Sequence, residues 1–73
     1  MSDLLPTSAH AAFFYQREAA LNAHYAINLL SFAQGAHDYH ARRGYELEAI
    51  AYQNKAATLY RLARHHMRVE ARS

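Results

Sequence analysis

The chain has 73 residues, with no cysteine, one proline and two glycines. This length allows one domain, and a chain so short buries only about 60% of its unfolded surface, so a lone monomer is expected to be marginally stable. Without cysteine, disulfides, thiolate metal sites and a cysteine nucleophile are excluded. No apolar run reaches the roughly 18 residues of a membrane span, and no signal-peptide pattern is visible, so we expect a cytoplasmic protein that does not enter membranes.

The charge is nearly balanced but unevenly distributed. Eight Lys and Arg against six Asp and Glu give a net charge of +2. Residues 1–44 are neutral overall, whereas residues 61–73 carry four arginines and a single glutamate. The basic character is therefore a local patch near the C-terminus rather than a property of the whole chain.

Composition favours helix along almost the whole chain. Alanine, the strongest helix former, occurs 16 times, while the strand formers valine and isoleucine occur once and twice. Pro6 and the residue before it resist helix, so we predict a flexible arm over residues 1–7 and a first helix over about 8–43.

The sequence around Gly44 is typical of a break between two helices. Two arginines precede this glycine, and cations suit the negative end of a helix dipole. Glu46 and Glu48 follow it, and acids suit the start of a new helix. Gly35 is a rival break without this charge pattern. We therefore predict a turn at Gly44 and a second helix over about 45–71, which makes an all-α, antiparallel two-helix hairpin.

Apolar residues occupy two nearly opposite faces of the first helix. Stepping 100° per residue places Phe14, Leu21, Tyr25, Leu29, Phe32, Ala36 and Tyr39 on one face. The other face holds Phe13, Ala20, Ala23, Ile27, Leu30, His37 and Ala41. We expect helix 2 to cover one face and a second copy of the chain to cover the other, which gives a homodimeric four-helix bundle. The candidate packing residues are Tyr25, Ile27, Leu30 and Phe32.

The second helix has a simpler apolar pattern. Its stripe contains Tyr45, Ala49, Tyr52, Ala56, Leu59, Ala63 and Met67. The small alanines predict that the facing helix approaches closely at this stripe.

No residue set carries a recognisable catalytic or cofactor chemistry. No serine or threonine has a histidine and an acid at triad spacing, and no glycine-rich phosphate loop exists, so we expect a protein without enzymatic activity. With a turn at Gly44, His24 would approach His65 and His66, a cluster able to bind zinc, nickel or copper or to make an interface pH-sensitive. Because no HExxH and no suitably spaced carboxylate accompany it, we expect no metal and no other cofactor.

Two clusters are candidate interaction sites. Near the predicted turn lie His37, Tyr39, His40, Arg42, Arg43 and Tyr45, residue types that anchor protein interfaces. Tyr39 and Tyr45 are alternatively the rings that close the end of the bundle core. On helix 2, a stripe of arginines could contact phosphates and is the alternative, nucleic-acid-binding site: Arg61, Arg64, Arg68 and Arg72. The alternative is that these arginines have no ligand and only stabilise the C-terminal end of the helix, where cations interact favourably with the helix dipole and with solvent.

The whole chain resembles small phage-encoded helical proteins that disable host regulators, among them phage anti-activators of quorum sensing. The resemblance lies in the length, the two-faced first helix and the Tyr-, Arg- and His-rich turn region. It implies a homodimer that binds and inhibits a host protein, such as a transcription regulator or its DNA-binding domain. Protein binding is therefore the leading expectation and nucleic-acid binding the second.

Overall fold

The computed structural model describes residues 8–72, with the side chains of 9–69 and Ala71; the predicted arm, 1–7, lies outside the described residues. Two helices form an antiparallel hairpin: α1 spans Ser8–Gly35 and α2 spans Tyr39–Arg72. The all-α hairpin prediction is confirmed. The molecule measures 54 × 23 × 13 Å. Because a helix with its side chains is about 10–12 Å across, the hairpin is a single layer of two helices.

The turn lies at residues 36–38 and not at Gly44, so the predicted boundaries at 43, 44 and 45 are wrong. Gly35 ends α1, and the Ala36 amide closes the last turn by donating to the Ala33 carbonyl at 3.2 Å. Gly44 lies inside α2, and no described residue has a positive φ. The left-handed conformation that we expected at Gly44 is therefore not adopted.

Asp38 explains why the second helix begins early. Its carboxylate Oδ2 accepts a hydrogen bond from the Ala41 amide at 2.9 Å, and its carbonyl accepts from the Arg42 amide at 3.0 Å. This is the geometry of an N-cap, in which a side-chain oxygen satisfies an amide that has no partner in the first turn. The Arg42 guanidinium reaches back to the Ala36 carbonyl at 3.5 Å. The start of α2 is therefore set by this N-cap and not by the charge pattern around Gly44.

Replacing Gly44 by alanine is expected to stabilise the protein, because Gly44 is an exposed residue inside a helix and a Cβ there would meet nothing within 4 Å. Glycine in a helix interior costs roughly 0.5–1 kcal/mol relative to alanine. Thermal unfolding followed by circular dichroism should show Tm rising by a few degrees, about 4–8 °C per kcal/mol for a domain of this size. A fall in Tm would instead favour a left-handed glycine and a turn at this position.

The two helices meet along alanines spaced by seven residues, which we call the alanine seam. Its buried members are Ala12, Ala19, Ala26 and Ala33 of α1 and Ala49, Ala56 and Ala63 of α2, each at most 5% exposed. A seven-residue repeat keeps one line of each helix facing its neighbour over several turns. Because alanine ends at Cβ, the two backbones can approach closely, as the alanines of helix 2 predict.

The seam has one buried polar member and half-buried larger residues beside the alanines. Asn22 is 6% exposed, and its Nδ2 donates to the Glu18 carbonyl at 2.7 Å. Tyr15, Leu29 and Leu59 are half-buried. In the predicted stripe of helix 2 the three alanines are buried and Tyr45 and Leu59 are half-buried, whereas Tyr52 and Met67 are 37% and 43% exposed.

The expectation that α2 covers one of the two apolar faces of α1 is wrong. α2 covers the alanine line that runs between them, so most of the large side chains of both faces remain at the surface. Fifteen large apolar side chains of the described residues are exposed, and none is fully buried. The hairpin therefore has a core of methyl groups and carries its bulky apolar side chains outside.

Candidate interaction surfaces

The turn end of the hairpin brings the six predicted contact residues together, and we call this end the tip. Tyr39 is the first residue of α2 and 70% exposed, the highest value among the large apolar side chains described. Its ring meets His40 edge-on, with 5.7 Å between ring centroids. His37 lies in the turn and is exposed, like His40. These three side chains therefore form the accessible end of the tip.

The other three tip residues make contacts within the hairpin. Arg42 donates to the carbonyl of Ala36 in the turn, and Arg43 pairs with Glu46 at 3.5 Å on the surface. Tyr45 is half-buried and packs its ring on Phe32, with centroids 5.9 Å apart. Tyr45 thus closes the end of the helix pair, whereas Tyr39 does not.

One side of the hairpin, which we call the aromatic face, carries ring pairs across the helix junction. Besides Phe32 and Tyr45, the rings of Tyr25 and Tyr52 lie 5.6 Å apart. Tyr25 and Phe32 are nevertheless 51% and 61% exposed, so these candidate packing residues contact α2 with only part of their surface. Aromatic pairs of this kind add about 0.5–1.5 kcal/mol each beyond the area that they bury.

The opposite side, which we call the groove face, contains the other two candidate packing residues, Ile27 and Leu30. Three consecutive concavities line this side of the helix junction. The central one is lined by small residues, among them Ala23 and Ala57, and by the larger Ile27 and Tyr60. Ile27 is 63% exposed, so most of its side chain is at the surface, whereas Leu30 is 36% exposed and lies beside Arg42 and Glu46 of α2.

The arginine row lies on the outer part of α2. Arg61, Arg64 and Arg68 are exposed, and none has an ion pair within the described part of the chain. Arg61 and Arg64 border the concavity at the open end of the groove face. Arg72 is the last residue of α2, and its side chain lies outside the described residues.

The histidine cluster suggested by a turn at Gly44 does not form. Moving the turn to 36–38 shifts the register, so that Tyr25 lies opposite Tyr52 and His24 lies far from His65 and His66. His66 instead stacks on Tyr15, with 5.5 Å between ring centroids and 20° between planes. Its Nδ1 is buried and has no hydrogen-bond partner among the described residues. Within residues 8–72, no three metal-binding side chains converge.

Comparisons with known protein families, curated proteins and solved structures give no match to this chain. Neither of the described helices combines the length and hydropathy needed to cross a membrane.

Proposed function

We propose that this chain is a homodimeric protein-interaction module that binds another protein and inhibits it by occupying its surface. One observation carries the proposal: the large apolar side chains lie outside a core made of alanine. Exposed apolar surface on this scale marks sites of association, because leaving it in water forgoes the main stabilising term of a small domain. A second layer of protein is what this hairpin needs in order to bury it.

The tip is the proposed contact with the other protein. Tyr39 and His40 project from the end of the hairpin, and Arg43 stands one turn further along α2. Tyrosine and arginine dominate binding energy at protein interfaces, because each combines apolar area with hydrogen-bonding groups. The resemblance to phage inhibitors suggests a host transcription regulator as the partner. The acidic Asp38 and Glu46 nearby would suit a basic partner surface.

A photo-crosslinking residue in place of Tyr39 tests this proposal in cells that contain the partner. The matched control places the same residue at Leu62, which is 38% exposed and lies far from the tip. A protein captured at position 39 and not at position 62, whose own activity falls when the purified chain is added, supports the proposal. Capture at neither position, or capture without any effect on the captured protein, contradicts it.

Replacing Tyr39 by alanine is then expected to weaken binding of the captured protein by about 2 kcal/mol or more, the range of an interface hot spot. The fold should be unaffected, because the only ring that Tyr39 meets among the described residues is the neighbouring His40. Calorimetric titration measures the binding, and circular dichroism measures the helicity. If helicity is lost, Tyr39 is a core residue and its role as a contact is wrong.

The second candidate function is nucleic-acid binding through the arginine row. The observation in its favour is that Arg61, Arg64 and Arg68 are exposed and have no acidic partner within the described residues. Phosphate contacts release counterions, so such binding would weaken steeply as salt is added. Fluorescence anisotropy of labelled duplex DNA at low and moderate salt decides between the candidates: we expect no binding at moderate salt if the leading proposal holds.

A further inference from the structure

The groove face has the properties of an interface between two copies of this chain. Its large residues stand beside small ones: Ile27 and Leu30 beside Ala23 on α1, and Ile50 and Tyr60 beside Ala57 on α2. On α1 these residues are spaced by three and four, and on α2 Gln53 stands between Ile50 and Ala57, so each helix presents a mostly apolar stripe about 40–100° away from the alanine seam. The upper end of that range is close to the right angle between neighbouring contacts of a helix in a four-helix bundle.

The aromatic face is less suited to burial. On this side α2 contributes Glu48 and Lys55, and α1 contributes the half-buried Glu18. Removing such charges from water is costly unless each finds a partner. Among the described residues that line the groove face, the charged ones lie toward its two ends: Arg42 and Glu46 at one end, Arg61 and Arg64 at the other. The central stretch of the groove face can therefore be covered by protein without desolvating a charge.

We infer that a second copy of this chain packs on the groove face, with each helix lying antiparallel to its own copy. This inference rests on the homodimer in the proposed function and adds the face and the orientation to it. A two-fold axis through the middle of the groove face places Ile27 against Ala20 of the other copy. The same axis places Ile50 against Ala57 of the other copy. This is possible because the midpoint of the Ile27–Ala20 pair on α1 and the midpoint of the Ile50–Ala57 pair on α2 are level with each other in the hairpin, in the register set by the contact of Tyr25 with Tyr52. Large side chains thus meet small ones on both helices at once.

The ends of the groove face are complementary in charge under the same symmetry. Reversing α2 brings Glu46 of one copy to the height of Arg61 of the other, whereas Arg64, one turn further along, is level with Arg43. Within one hairpin, Glu46 has only the surface pair with Arg43, and Arg61 has no ion pair among the described residues. A two-fold interface needs such self-complementarity, since each patch meets its own copy.

The available area matches a dimer interface. From Phe13 to Gln34 the groove face is about 33 Å long at 1.5 Å per residue. Two helices about 8–10 Å apart are together about 20 Å wide, which gives a footprint of about 650 Å². Stable interfaces bury about 800 Å² of accessible surface per partner, and the accessible area of a ridged face exceeds its flat footprint.

Sedimentation equilibrium of matched variants tests the face. The unsubstituted chain is expected at twice 8.3 kDa. Ile27→Glu should shift the mass to 8.3 kDa, because it buries two uncompensated carboxylates per dimer. The control is Phe32→Glu, which puts the same charge on the same helix at a site of equal exposure, 61% against 63%. It should leave the dimer mass unchanged.

Cysteine crosslinking tests the orientation and remains informative if Ile27→Glu fails to fold. The natural chain has no cysteine, so a single one can be placed at will. Gln53→Cys lies near the proposed axis and should oxidise to a covalent dimer, whereas Ala51→Cys, exposed on the other side of α2, should not. The inference about the face is wrong if the dimer crosslinks at position 51 and not at position 53. It is also wrong if Phe32→Glu dissociates the dimer and Ile27→Glu does not. Either result would still be compatible with a homodimer. A chain that sediments as a monomer overturns both the inference and the homodimer.

Discussion

Replacing Ala49 by leucine is expected to destabilise the hairpin by about 1–3 kcal/mol, the usual cost of overpacking a well-packed site. Ala49 is 0% exposed, and its methyl group lies in the alanine seam between the two helices. The three additional carbon atoms of leucine have no space there unless the helices move apart. Moving apart would also loosen the contact at Ala56, the next seam alanine two turns further along α2, so the change would weaken packing along the seam.

The matched control is Ala51→Leu, two residues further along the same helix at an exposed position. Alanine and leucine have similar helix propensities, so this substitution should change stability little. Urea unfolding at a fixed protein concentration, followed by circular dichroism, gives both free energies of unfolding. If Ala49→Leu were as stable as Ala51→Leu, the two helices would not be in close contact at this position, and the alanine seam would be wrong.

The seam also shows where sequence reasoning succeeded and where it failed. The helical content follows from the abundance of alanine, and the packing stripe of helix 2 is visible because Ala49, Ala56 and Ala63 alternate with large residues. On helix 1 the bulky side chains define two faces by their periodicity, yet the contact line is the row of small ones. Ala12, Ala19, Ala26 and Ala33 have the same seven-residue spacing as the alanines of helix 2, and that match was the available signal.

The rule that large apolar residues form the core fails here for a physical reason. In a single layer of two helices, each helix has only one neighbour, so at most about a third of its surface can be covered. Placing alanine at that contact brings the backbones close, but it leaves Phe13, Phe14, Ile27 and Phe32 outside. Such a sequence favours the proposed association, in which further protein covers the remaining faces. The large apolar side chains that the isolated hairpin leaves exposed are therefore the main support for the proposed association.

The tip could be predicted from composition, although the turn was misplaced. Tyrosine, arginine and histidine crowd into residues 37–45 whether the chain turns at 37 or at 44. The difference matters for individual side chains: a turn at 44 would put Tyr45 at the end of the hairpin, whereas the turn at 36–38 puts Tyr39 there and Tyr45 against Phe32. The signal that decides between them is Asp38, which stands three residues before the amide that it caps.

Replacing Asp38 by alanine is accordingly expected to cost about 0.5–2 kcal/mol of stability, the range measured for loss of an N-cap side chain. The Ala41 amide, which now donates to Asp38 Oδ2 at 2.9 Å, would lose its side-chain acceptor. Asp38→Asn is the matched control, because asparagine caps helices about as well as aspartate and keeps an oxygen at the same place. Thermal unfolding should therefore show a clear fall in Tm for the alanine variant and a small change for the asparagine variant.

The pair of variants also separates the cap from the charge of Asp38. If Asp38→Asn were as unstable as Asp38→Ala, the negative charge near the start of α2 would be what matters, through its interaction with the helix dipole. Amide hydrogen exchange at Ala41 gives the local readout: protection should be lost in Asp38→Ala and kept in Asp38→Asn. Unchanged protection in both variants would mean that Asp38 does not cap α2, and the reason given for the turn at 36–38 would be wrong.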